Sequence, residues 1–288
     1  MGPLGRALAA ALLLAAPCPA PGGEAAALRI ASLSPGATEI LFALEAGGLV
    51  AAVSRHCDHP VEARLKPKAG DFNRPDLEAL TALGPDLVVL SEYGRPGDEE
   101  ALEEAGLRAL VLPARNVAEV GEAIRRLGRL TQREERAEEL VAEIEAALVE
   151  VGARLAGLPE VDRPRVYLEV DGPARLYAVG PGSFMDDLIR AAGGRNAFGD
   201  RRVPYFAVDP GEVAAAEPDV ILIDHPFQYK GGVAKRPGWS GLSAVRNARV
   251  YDRTDFDIVL VNRPGPRIGE AVRVLSRLLH PEVCHADR

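Results

Sequence analysis

Ser34-Pro35-Gly36-Ala37-Thr38-Glu39-Ile40-Leu41-Phe42-Ala43-Leu44-Glu45-Ala46-Gly47-Gly48 has an echo further along the chain, Gly180-Pro181-Gly182-Ser183-Phe184-Met185-Asp186-Asp187-Leu188-Ile189-Arg190-Ala191-Ala192-Gly193-Gly194. The offset is 146 at both ends of the phrase (181 − 35 and 194 − 48). Each copy reads as a Pro-Gly turn, about three turns of amphipathic helix and a Gly-Gly stop. Gly84-Pro85-Asp86-Leu87-Val88-Val89-Leu90 and Glu217-Pro218-Asp219-Val220-Ile221-Leu222-Ile223 form a second pair, each launching an apolar, β-branched run. One unit built twice predicts two similar lobes, and matched loops predict a cleft between them.

Working outward, residues 28–33 read as a strand that ends in the first Pro-Gly turn, and strands recur at 49–53, 87–90 and 107–112. In the second lobe 165–170, 220–223 and 248–251 take those parts. Strands alternating with helices predict an α/β fold of two Rossmann-like lobes with parallel sheets covered on both faces. Residues 132–158 repeat apolar side chains at three- and four-residue steps, from Ala137, Leu140, Val141, Ile144 and Ala147 to Leu148, Val151 and Leu155. That predicts one long rigid helix joining the lobes, capped by Thr131 with Glu134 as its capping-box partner. At 1.5 Å per residue it reaches about 38 Å, enough to stiffen the cleft. The expected organisation is a leader and short tail over 1–27, an N-terminal lobe over 28–130, the linking helix over 131–158 and a C-terminal lobe over 159–288.

The first residues place one positive charge before Ala7-Leu8-Ala9-Ala10-Ala11-Leu12-Leu13-Leu14-Ala15-Ala16 and a run of small residues, the pattern of a secretory signal peptide. The mature chain is expected in the periplasm, and Pro17 beside Cys18 argues against lipid attachment at that cysteine. Cys57 and Cys284 remain after cleavage, in a compartment that permits disulfides, and their spacing leaves pairing open. A net charge of −8 argues against a nucleic-acid partner, since phosphate binding needs a basic surface. A monomer is expected.

Open α/β sheets take ligands beyond the carboxyl ends of their strands. Both Pro-Gly loops sit at such ends, so the turn of Ser34, Pro35, Gly36 and Ala37, and the turn at 180–183, are expected to floor the cleft, with backbone N–H groups from their non-proline residues. Ser54-Arg55-His56-Cys57-Asp58-His59-Pro60 is dense in metal-capable groups, but with no HExxH or paired CxxC spacing it reads as a loop pointing His56 into the cleft while Asp58 braces its own backbone. Aromatic residues are only 5% of the chain, which singles out Phe72, Tyr93, Tyr177, Tyr205 and Phe206 in predicted loops. Trp239 reads as a packing residue. The chain lacks the GxSxG elbow, the phosphate-binding GxxxxGK[ST] loop and a complete dinucleotide fingerprint.

The leader, duplicated lobes, long helix and Asn73-Arg74-Pro75-Asp76-Leu77-Glu78 ahead of Gly84-Pro85-Asp86-Leu87 together resemble the substrate-binding proteins of ABC importers for cobalamin and iron-siderophores, nearest to the cobalamin binders. Leu33-Ser34-Pro35, Cys57-Asp58-His59-Pro60, Ala191-Ala192-Gly193-Gly194 and Arg263-Pro264-Gly265-Pro266-Arg267 carry the resemblance most specifically. It implies a binding protein rather than an enzyme, one that captures cobalamin or a related corrinoid between aromatic side chains. It also implies delivery to a permease and ATPase complex, with no cofactor of its own. His56 stands where a cobalamin binder has tyrosine, Phe72 and Tyr205 where it has tryptophan, and Tyr177 where it has phenylalanine. Asp255 and Arg263 complete the implied contacts. His56 as an axial metal ligand makes haem or a ferric siderophore the alternative cargo, and an exported enzyme on the same fold is the alternative of another class. The resemblance further implies one permease-docking glutamate per lobe, Glu78 and Glu212.

Overall fold

The computed structural model describes residues 27–172, 175–226 and 228–284. The N-terminal lobe runs β1 (Ile30–Ser32), α1 (Pro35–Ala43), β2 (Val50–Val53), α2 (Val61–Arg64), β3 (Gly70–Asp71), β4 (Arg74–Pro75), α3 (Leu77–Leu83), β5 (Leu87–Ser91), α4 (Asp98–Glu104), β6 (Ala109–Leu112) and α5 (Val117–Thr131). Next comes α6 (Glu134–Leu155), followed by β7 (Arg165–Asp171), β8 (Leu176–Val179), α7 (Phe184–Ala191), β9 (Arg195–Asn196), β10 (Tyr205–Val208), α8 (Pro210–Ala215) and β11 (Val220–Ile223). The chain ends α9 (Lys230–Val233), α10 (Ser243–Arg246), β12 (Val250–Tyr251), α11 (Ile258–Asn262), α12 (Ile268–Leu279) and α13 (Pro281–Cys284). The signal-peptide reading and Cys18 lie outside the described residues.

The first sheet has the order β2-β1-β5-β6 and is parallel throughout, as expected. The second has the order β10-β8-β7-β11-β12 with β9 beside β7, and here the all-parallel expectation fails. β8 runs antiparallel to β7, and β10 antiparallel to β8. For β8 the reason is chain length: a parallel return needs a crossover of a dozen or more residues, and far fewer separate Asp171 from Leu176. Tyr205 and Phe206 are therefore strand residues.

Alternating side chains divide each strand between two cores. Ile30, Val89, Val166, Leu168, Val220 and Leu222 belong to a single cluster that also takes Leu140, Ile144 and Val151 of α6. Ala31, Val88 and Leu90 face an outer cluster in the first lobe; Tyr167, Ile221, Ile223 and Trp239 face another in the second. Trp239 is fully buried, as its packing role requires, with its indole N–H donated to the Pro210 carbonyl at 2.9 Å. Strands buried on both faces explain the unbroken apolar runs in the sequence.

The long helix is shorter than predicted, 22 residues or about 33 Å. Thr131 does not cap it. The threonine belongs to α5, where its hydroxyl donates to the Leu127 carbonyl at 2.8 Å, and Gln132 takes a left-handed conformation (φ 57°) to reverse the chain. Antiparallel packing of α5 on α6 requires that tight turn, so no residue was left for a capping box.

The two echoed units are real, but their register is shifted. Ser34 caps α1 with its hydroxyl on the Ala37 N–H, and Ser183 caps α7 on the Asp186 N–H, 149 residues apart (183 less 34). Pro35 starts α1, whereas Pro181-Gly182 forms a separate turn before the cap, with Gly182 at φ 85°. The helices end alike: the Ala46 N–H donates to Leu41 and the Gly194 N–H to Ile189, both at 2.9 Å. Glu45 (φ 58°) fills the left-handed position that Gly193 (φ 87°) fills in the second copy, so Gly47-Gly48 is not the first helix's stop.

Candidate functional site

A cavity of about 530 Å³ opens between the lobes at the carboxyl ends of β1, β2, β5, β7 and β11. Ser34, Pro35 and Gly36 form one wall because the β1 to α1 turn has no large side chain, and an added Cβ at Gly36 would lie 2.1 Å from the Pro264 carbonyl oxygen. That approach joins the first lobe's turn to the second lobe's 263–265 segment. Ala37, expected beside them, is buried and outside the cavity; its N–H is taken by the Ser34 hydroxyl at 3.3 Å.

His56 and Phe72 stand together at one end, ring centroids 5.4 Å apart and edge to face. His56 Nε2 lies 2.7 Å from Asp71 Oδ1, which fixes the ring and leaves Nδ1 for a ligand. Cys57 behind them is a buried free thiol within 3.1 Å of the Thr38 and Ser54 hydroxyls, which pins the loop to the core. The side chain of Cys284 lies outside the described residues. Among the described residues no group of three or more His, Cys, Asp or Glu is placed to hold a metal ion.

Arg263 lines the cavity and crosses between lobes, donating to Glu39 at 2.9 Å and to Asp58 at 2.8 Å. Arg267 adds two bonds to the same Glu39, at 2.8 and 3.0 Å. Glu39 is 3% exposed, a buried acid of α1 held by two guanidinium groups of the opposite lobe. Asp58 does more than brace its own loop: burial disfavours its charge, but the Arg263 hydrogen bond and charge outweigh that and hold its carboxyl below the usual aspartate range.

Tyr93 and Tyr205 meet across the cleft with hydroxyls 3.3 Å apart and rings 5.8 Å apart, edge to face. Burial raises both phenol pKa values, so both stay neutral donors. Met185, Asp224 and Asn262 complete the far wall. The sequence reading passed over these three, although Asp224 directly follows β11 and occupies the strand-end position that the rule for α/β sheets marks.

Three more expected contacts fall outside the cavity. Tyr177 sits on β8 opposite Ala207 with the Arg175 guanidinium 5.5 Å over its ring, because the segment is a strand and not a loop. Asp255 closes the turn after β12, taking Lys230 Nζ at 2.6 Å and the Asp252 N–H at 3.0 Å. The turn at 180–183 does not floor the cleft; Pro181 borders a different depression, shared with Asp186 and Arg190. Glu78 is exposed in the first turn of α3. Glu212 is committed within its own lobe, in a capping box with Asp209 and in a 2.6 Å pair with Arg201, and these bonds keep its carboxyl below the usual range.

Residues 30–255 match the periplasmic binding protein family. An ABC transporter substrate-binding lipoprotein of Bacillus subtilis, YvrC, is 30% identical over 88% of this chain and 80% of its own length. A vitamin B12-binding protein of Salmonella typhimurium is 30% identical over 74% of this chain and 80% of its own. Among solved structures, the periplasmic heme-binding protein RhuT of Roseiflexus superposes with a TM-score of 0.77 at 27% identity, covering 89% of this chain and 99% of that one. BtuF, the vitamin B12-binding protein of Vibrio cholerae, gives 0.76 at 25% identity, over 88% and 97%. With its two lobes, its connecting helix and a cleft at the strand ends, the chain belongs to the periplasmic binding protein family and is a substrate-binding protein of the ABC-transporter class that includes vitamin B12 and haem binders.

Proposed function

We propose that this protein captures cobalamin or a related corrinoid outside the cytoplasm and hands it to the permease and ATPase of an ABC importer, without bond chemistry of its own. The carrying observation is the cleft itself: Phe72 and Tyr93 from one lobe and Tyr205 from the other present flat faces and edges around one cavity. Such a site holds a large planar ligand by burying its apolar faces, while Arg263 and the Ser34 to Gly36 turn supply polar contacts at the rim. The curated relatives that bind vitamin B12 support the choice of cargo. Glu78 is the free acid for docking on the first lobe. Release of Glu212 from Arg201 would be required for a matching contact on the second. A leader within residues 1–27 is removed on export, leaving a short mature tail, and the lipoprotein relative makes the mass of the mature N-terminus a direct check on Cys18.

Titration with cyanocobalamin tests the reading. A saturable heat and a raised melting temperature are expected, since ligand at a hundred times Kd adds about 2.7 kcal/mol to stability. Neither heat nor melting shift would refute the cobalamin assignment. Haem is the second reading, favoured by His56 braced on Asp71. A haem complex ligated through Nδ1 loses its Soret shift in His56→Ala, and an unchanged spectrum excludes that ligand.

A further inference from the structure

The acids around the cavity are treated unequally. On the first lobe each has a basic partner: Glu39 and Asp58 take Arg263, and Asp71 takes His56. On the second lobe Asp224 lines the same cavity, is 4% exposed, and its Oδ1 has no hydrogen-bond partner among the described residues. The groups acting on it are the Asn262 side chain and the Asp257 carboxylate, and its own charge acts on the Tyr205 phenol. None of these is a cation. Burial pushes its carboxyl well above the usual range; the Asn262 bond opposes this and the Asp257 charge adds to it, so the site favours the protonated form over the charged one.

A neutral carboxyl carries one donor and one acceptor side by side. A primary carboxamide carries the complementary pair, so O–H to amide carbonyl and amide N–H to Oδ1 form together as two parallel hydrogen bonds. A ligand carboxylate offers acceptors only and leaves Oδ1 orphaned in an apolar wall. We propose that Asp224 is a specificity-determining residue of the cleft, selecting a tetrapyrrole whose peripheral side chain ends in a primary carboxamide over one ending in a carboxylate. This rests on the tetrapyrrole reading given above. A buried carboxyl oxygen without a hydrogen-bond partner costs stability, and pairing with a ligand amide offsets that cost.

Calorimetric titration of wild type, Asp224→Asn and Asp224→Leu with cyanocobalamin and its singly hydrolysed monocarboxylic acids tests this. Asp224→Leu is expected to weaken cyanocobalamin by about 10- to 100-fold, the effect of leaving a buried polar group unpaired. Asp224→Asn keeps a donor and an acceptor and should stay within about threefold. At least one monocarboxylic isomer should bind wild type about tenfold more weakly than cyanocobalamin, a gap that closes in Asp224→Leu. Ligand-free Asp224→Leu should melt at or above wild type, which separates ligand recognition from a structural role. Unchanged affinity in Asp224→Leu, a tenfold loss in Asp224→Asn, or equal binding of every monocarboxylic isomer overturns the proposal while the cobalamin reading stands. Absence of cyanocobalamin binding by wild type defeats the cobalamin reading itself, and a preference for hemin, whose propionates are carboxylates, overturns both.

Discussion

The two copies of the turn-helix unit share a serine cap and a left-handed exit, yet only the first brings its turn to the cleft. In the first copy the proline opens the helix, so the turn sits at the strand end and packs on Pro264 across the cleft. In the second copy the Pro-Gly pair is a separate turn outside the cap, the turn faces away from the cleft, and Met185 reaches the cavity instead. A shift of a few residues within one repeated unit thus decides whether backbone or side chain meets the ligand. The charges follow the same division: the first helix buries Glu39 against arginines of the other lobe, and the second buries Asp186 against its own lobe's Asn196 and Arg190.

The most severe way to break this contrast is Glu39→Ala. It leaves Arg263 with Asp58 and Arg267 with only the more distant Asp257 at the lobe interface, and is expected to cost about 3 kcal/mol, read as a lower denaturation midpoint. Its counterpart Asp186→Ala leaves Arg190, which is largely exposed, still paired with Asp187, and should cost about 1–2 kcal/mol. Equal losses would show that the lobes are not locked by this pair. Next in size, Gly36→Ala drives a methyl group into the Pro264 carbonyl and is expected to cost about 1–3 kcal/mol and to weaken ligand binding. Gly182→Ala has open space around it and pays only for its left-handed backbone, about 1 kcal/mol, with binding unchanged in the same titration.

Removing the caps sharpens what the copies share: Ser34→Ala and Ser183→Ala should each cost about 1 kcal/mol by denaturant melts. The smallest effect concerns acid. Because Asp58 has a folded-state pKa below its unfolded value, its contribution is complete above the ordinary aspartate range and is lost as pH falls through the lowered one. Asp58→Asn should therefore flatten the acid limb of stability against pH while leaving the neutral plateau nearly level, apart from the lost Arg263 bond.

Much of this was legible in the chain because burial on both faces writes unbroken β-branched runs, and residues 220–223 and 87–90 came out within a residue of the strands they form. His56, Phe72 and Tyr205 stood out as polar or flat groups in predicted loops, and Arg263 came only from the family resemblance. What stayed hidden depended on pairing. Tyr177 looked like a loop aromatic because nothing in its own segment tells an antiparallel strand from a turn. Glu39 looked like any helical glutamate, since its arginine partners lie 224 and 228 residues away. Asp224 was visible only by position, as the residue after a strand.

The helix between the lobes has a consequence for how the molecule comes apart. Its apolar face belongs to the same cluster as the inner strands of both sheets, so neither lobe owns that core. Heat should melt the chain in a single cooperative step, and either half expressed alone would expose an apolar surface meant for the other. Duplication made two lobes, but the shared core leaves one thermodynamic unit.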